Sequence, residues 1–203
     1  IFSHHIYMHN TLKNLLYIKD NIKTYLNKLN IDNNPKIIAV SKTFKIDKIL
    51  PLIEYGHKDY GENKVQEAVD KWTEIKKTNP ELKLHMIGKL QTNKVKFAIQ
   101  IFDYIHSVDS EKLARKIANE QNKINKNIKI FLQVNIGEEI QKSGIHKNEV
   151  NKLIALCNEI DLKVIGLMCI PPVNIDPEYY FLEMNKLNKN LGLSELSMGM
   201  SSD

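Results

Sequence analysis

Two stretches constrain the fold more than any others: IKIFLQVNI at 128–136 and KVIGLMCI at 163–170. Both are apolar on both faces, which suits strands of a parallel sheet covered by helices rather than a half-solvated sheet. Further short strand candidates lie at 37–41, 57–60, 83–88, 104–108 and 195–199, making seven with 128–135 and 163–169. Helical stripes separate them. Leu12, Leu15, Leu16, Ile22, Leu26 and Leu29 mark a long first helix, and Asp47 is placed to cap a short one that stops at Gly56, its first turn made irregular by Pro51. Val65, Val69, Trp72 and Ile75 mark the next, followed by Val95, Ala98 and Ile99, then Leu113 and Ile117. Val150, Leu153, Ile154 and Cys157 form another, and Asp176 before Pro177 opens the last, carrying Phe181, Met184, Leu187 and Leu191.

An alternating βα series either closes into a (β/α)8 barrel or stays open as a doubly wound sheet. No G-x-G-x-x-G follows any strand, which disfavours the dinucleotide-binding version. Polar residues collect near strand C-termini: Lys42, Glu62 and Asn63, His85, His106 and Ser107, Asn135, and Met198 to Ser201. In a barrel those ends share one mouth. The expected class is therefore α/β, a TIM-type barrel with seven legible strands rather than eight. There is no repeat and no linker, and 203 residues suit one domain. Residues 1–10, with His4, His5 and His9, read as a leader, and 11–203 as a single barrel domain that is incomplete at its C-terminus.

Composition narrows the function. Apolar content of 42% and charged content of 26% are ordinary for a soluble globular protein. No run reaches the length of a membrane span, and the start lacks the layout of a signal peptide. Cys157 and Cys169 read as reduced thiols of a cytoplasmic protein. The net charge is +5, but Arg115 is the only arginine. Nucleic-acid recognition leans on arginine, of which there is one, and on aromatic residues interleaved with basic ones, which the lysines here lack. Modest positive charge still attracts a small phosphorylated molecule.

Four clusters carry chemistry. In IIAVSKTFK (37–45) a strand expected to be fully buried delivers Lys42 at its C-terminal end. An amine that loses hydration becomes neutral more readily and can attack an aldehyde to form a Schiff base; a solvated strand-end lysine is the plainer reading. In YGENKVQEA (60–68), Gly61 permits a tight turn and Asn63 offers an amide, although Asn and Glu are also ordinary helix-starting residues. In HMIGKLQTNK (85–94), His85 is either a site residue or a satisfied core histidine, Gly88 permits close approach, and no ligand spacing for a metal is present. In LSMGMSSD (196–203) a small-residue turn with Gly199 and Ser201 suits an anion nest, or a plain loop. Together these pieces fit a small aldehyde bearing a phosphate, and pyridoxal 5′-phosphate is one.

IIAVSKT, YGENKVQE, HMIGKLQTNK, HSVDS, LQVNI, QKSGI, GLMCIPP and LSMGMSSD occur in an order that resembles the pyridoxal phosphate homeostasis proteins. That family is similar in turn to the N-terminal barrel domain of alanine racemases. The resemblance runs from about residue 11 to 203. It implies a barrel with pyridoxal 5′-phosphate on Lys42, Asn63 beside the cofactor, and Gly199, Met200 and Ser201 holding phosphate. His85, Met168 and Ser197 complete the cofactor-binding candidates, with Lys142 as a secondary one near the mouth.

The resemblance also implies a cytoplasmic carrier that binds, buffers or delivers the cofactor, with pyridoxal-phosphate-dependent apo-enzymes as recipients. A monomer is the default expectation, and composition points to neither a specific nucleic-acid partner nor a membrane. The family continues with a last strand bearing an Arg-Ile-Gly-Thr type segment, whereas this sequence ends at Asp203. The corresponding expectation is an open barrel with unpaired edges and a weaker phosphate grip. The alternative is a racemase-like enzyme using pyridoxal 5′-phosphate. That chemistry needs a second base opposite Lys42, and Tyr60 is the nearest candidate.

Overall fold

The structure is a computed structural model, and it describes residues 8–139, 141–173 and 175–199. Seven strands form one sheet, every neighbouring pair parallel: β1 (Ala39–Val40), β2 (Asp59–Glu62), β3 (Lys83–Met86), β4 (Tyr104–Val108), β5 (Lys129–Gln133), β6 (Val164–Cys169) and β7 (Glu195–Met198). Their spatial order is their chain order. A doubly wound sheet reverses order at a switch point, so this is the singly wound barrel architecture. Seven helices accompany them: α1 (Asn10–Lys28), α2 (Ile46–Glu54), α3 (Val65–Thr78), α4 (Val95–Ile101), α5 (Glu111–Lys123), α6 (Val150–Glu159) and α7 (Glu178–Asn190).

Alternation along each strand sorts two environments. Leu84, Met86, Ile105, Ile130, Leu132 and Leu167 join the large buried core with helix residues such as Trp72, Ile99, Ile117 and Leu153. The opposite, inner face carries Asp59, His85, His106 and Ser197, which touch one another across the sheet. The helix layer is therefore mainly apolar, and a chain of polar side chains crosses the barrel interior.

Several local expectations change. The strand at 37–41 is not fully buried: among the described residues β1 has a single sheet neighbour, β2, and Val40 is 46% exposed. Gly61 lies inside β2 rather than in a turn. A Cβ there would meet Ile87 Cδ1 at 3.0 Å and Ile38 Cγ2 at 3.1 Å, so its bare Cα leaves room inside the barrel. Lys45, not Asp47, occupies the N-cap of α2, and Pro51 sits beyond the first turn. His9 caps α1, its Nδ1 accepting from Thr11 N–H, which joins residues 9 and 10 to the folded part.

Candidate functional site

Lys42 lies two residues past the end of β1 and is half-buried. The ladder continues one residue past the strand, since Ser41 N–H donates to Gly61 O at 2.9 Å. Ser41 Oγ donates to Glu62 Oε1 at 2.7 Å, and Glu62 also receives Trp72 Nε1–H from α3. Ser41 and Glu62 thus point to the helix layer. Their neighbours Lys42 and Asn63 fall on the other parity, the face on which Ile38, Gly61 and Ile87 meet. Thr43, the next residue, has φ of 66°, a left-handed conformation that is strained for a β-branched side chain. Its N–H donates to Glu67 Oε1 at 2.6 Å.

Glu62 is wholly buried and is the centre of this arrangement. Lys71 Nζ donates to Glu62 Oε1 at 2.9 Å, to Glu67 Oε1 at 3.0 Å and to the Ser41 carbonyl at 2.7 Å. Burial pushes the Glu67 carboxyl up, but hydrogen bonds from Lys71 and Thr43 and the charges of Lys71 and Lys64 outweigh it and hold Glu67 below its ordinary value. The sequence places Glu62 and Asn63 together among the polar residues of the mouth. Strand alternation separates them, and the Glu67/Lys71 spacing of four was the available signal for the ion pair.

Asn63 is half-exposed as a residue, yet its Oδ1 is buried without a hydrogen-bond partner among the described residues. Gly88 explains its seat: a Cβ at 88 would lie 2.5 Å from Asn63 O and 2.7 Å from Asn63 Cβ. Lys142 follows β5 in the loop and is held by Glu139 Oε2 at 2.6 Å and the Pro171 carbonyl at 3.2 Å. Met168 is buried on β6 in register with Ser197 on β7. Gly199 N–H reaches Cys169 O at 3.4 Å, and a Cβ at Gly199 would meet nothing within 4 Å. Met200 and Ser201 lie outside the described residues.

His85 sits within β3, not at its end, and both its ring nitrogens are engaged: Nε2 with Asp59 Oδ1 at 3.0 Å and Nδ1 with His106 Nε2 at 2.9 Å. His106 Nδ1 is 2.7 Å from Ser197 Oγ. One donor order satisfies every atom: Ser197 O–H to His106, His106 N–H to His85, His85 N–H to Asp59. Tyr104 stacks on His85 and Phe131 on His106, each at 4.3 Å between ring centroids. Burial, and then the charge of His85, pull the His106 pKa down to about 3. Burial raises the Asp59 carboxyl, but His85 and more distant Lys36 and His57 bring it net below its usual value. His85 and Ser197 thus belong to a chain crossing the barrel interior, below the level of Lys42 and Asn63 along the strands.

Tyr60 cannot act as a second base. It is fully buried on the helix side against Trp72, its hydroxyl donates to His57 O at 3.0 Å, and burial drives its pKa up. Among the described residues no cluster of three His, Cys, Asp or Glu could hold a metal, and no helix is long and apolar enough to cross a membrane. One cavity of ≈ 550 Å³ opens near Lys19, Lys23, Lys36, His57 and Asp59, and another of ≈ 270 Å³ lies beside Arg115 on the outer helix α5. Neither is lined by Lys42, Asn63 or Gly199. The mouth is recognised by its chemistry, because the C-terminal ends of barrel strands carry the reactive groups.

A singly wound barrel with a polar interior and a lysine at its mouth matches one class: the family model "Alanine racemase, N-terminal domain" aligns with residues 14–202. The pyridoxal phosphate homeostasis protein of Aquifex aeolicus is 37% identical over 182 residues, covering 85% of this chain and 79% of that protein. That of Pasteurella multocida is 32% identical over 203 residues, covering 94% and 87%. PipY of Synechococcus elongatus, solved with PLP bound, superposes with a TM-score of 0.75 at 32% identity over 90% of each chain. Clostridium difficile alanine racemase, at 16% identity and TM-score 0.65, covers 90% of this chain and 50% of its own, a likeness of fold alone. The chain belongs to the pyridoxal phosphate homeostasis protein family.

Proposed function

We propose that this protein holds pyridoxal 5′-phosphate at the barrel mouth, covalently through Lys42 Nζ, and buffers or delivers it rather than turning over amino acids. The observation that carries the reading is the place of Lys42: it follows the end of β1 on the same face as Asn63, whose buried Oδ1 has no hydrogen-bond partner among the described residues. An orphaned buried acceptor is expensive unless a ligand group satisfies it, and a ring hydroxyl is a suitable donor. Bound there, the ligand supplies an aldehyde to which a lysine amine can add with loss of water. Asn63 orients the ring, Met168 offers an apolar contact, and the open space beside Gly199, where a Cβ would meet nothing within 4 Å, leaves room for the phosphate. His85 and Ser197 act from beneath, as the polar floor. Lys142, already neutralised by Glu139, is a secondary contact at the rim.

The bound PLP of PipY supports this ligand. Pyridoxal-phosphate-dependent apo-enzymes are the proposed recipients. Cys157 and Cys169 are buried free thiols whose pKa values burial raises to about 11 and about 12, in keeping with a reducing, cytoplasmic setting. Absorbance titration of the wild type and of Lys42→Ala with pyridoxal 5′-phosphate tests the proposal. A saturable shift in the wild type, abolished in the variant, is expected. The same shift in both proteins contradicts covalent holding at Lys42.

A further inference from the structure

The residues on either side of Lys42 are each tied to α3. Ser41 is held through both its hydroxyl, which donates to Glu62, and its carbonyl, which receives Lys71 Nζ. Thr43 is held in its left-handed conformation by its N–H bond to Glu67. Lys71 joins the two carboxylates, so one ammonium closes a bracket around position 42. Lys71 has only 10% of its side chain exposed and three acceptors around Nζ, an arrangement far more enclosed than a surface ion pair. Nothing in the strand itself supplies this: β1 is two residues long and lies at the sheet edge, where a lysine-bearing turn would otherwise be loose.

We propose that Glu62, Lys71 and Glu67 are positioning residues that lock the Ser41–Thr43 turn and so aim the Lys42 amine along the inner face toward an incoming aldehyde. This rests on the proposed function of Lys42. The bond-forming step is the one already described: Nζ bonds the aldehyde carbon, and the aldehyde oxygen leaves as water. Its rate and equilibrium depend on holding Nζ within attack geometry, which is what a fixed turn provides. Lys71 itself is spoken for by three acceptors and faces the helix layer, so the bracket also denies the aldehyde a competing amine nearby.

The test compares two ligands on the full chain: pyridoxal 5′-phosphate, and pyridoxine 5′-phosphate, which carries an alcohol where the aldehyde stands and so reports the non-covalent contacts alone. Lys71→Met and Glu67→Ala are each expected to weaken pyridoxal 5′-phosphate binding about tenfold or more, while pyridoxine 5′-phosphate binding moves less than about twofold. Lys71→Arg, keeping the charge, is expected to restore part of the loss. Glu67→Ala leaves the Glu62–Lys71 pair in place, so it decides the matter if Lys71→Met does not fold. Equal weakening of both ligands, or no weakening of either, overturns the positioning role. A wild type that forms no covalent bond at Lys42 overturns the proposed function itself, and this inference with it.

Discussion

His106 shows how one buried ring sets a property of the whole chain. Unfolded, it takes up a proton near its ordinary 6.5; folded, it resists until about 3. Between those values the unfolded chain binds more protons, so stability is complete above about 6.5 and drains away as the solution is acidified. The groups facing the ring are His85, Ser197 and, through His85, Asp59. Asp59, held below its ordinary 3.8, contributes stability that is lost only at still lower pH. Lowered by burial, His57 adds in the same direction as His106. Urea unfolding at pH 7 and pH 5 is expected to show a loss of up to about 1.4 kcal/mol per pH unit per buried histidine. His106→Asn is expected to flatten that slope, and equal stability at the two pH values would contradict the assignment. This chain was only partly legible in the sequence. His85 was visible as a candidate with a core alternative, but a cross-sheet partnership with Ser197, 112 positions away, has no local signature.

At the scale of elements, the seven strand candidates and the helices between them were legible because apolar runs and i, i+3, i+4 stripes are local patterns. All seven strands occur where those patterns stand, and 104–108 coincides with β4. What the patterns did not convey is facing. Glu62 and Asn63 are adjacent residues serving opposite layers, and Glu62 gains its meaning only when α3 folds Lys71 and Trp72 over it. Nor did the apolar run at 37–41 reveal that β1 is an edge strand with Val40 exposed, since burial there depends on a second sheet neighbour. The contact between the β3–α4 loop and Asn63 is a sharper case. Gly88→Ala places a methyl 2.5 Å from the Asn63 carbonyl, backbone that has little room to yield. It is expected to destabilise the fold by about 1–3 kcal/mol in thermal or urea melts and to weaken pyridoxal 5′-phosphate binding with it. An alanine variant of full stability and affinity would show that this approach does not matter.

At the scale of the molecule, a sequential parallel sheet is what brings Lys42, Asn63, Lys142 and Gly199 to one end, although 157 positions separate the first from the last. The helices bury the outer face and leave the interior to hydrogen-bonding side chains. The function then reduces to where a single amine is presented. Borohydride reduction of the full chain after exposure to pyridoxal 5′-phosphate, followed by peptide mass spectrometry, reads that directly. A pyridoxyl group found on Lys42 is the predicted result. A protein left unmodified there, with the label on other lysines, would contradict the account.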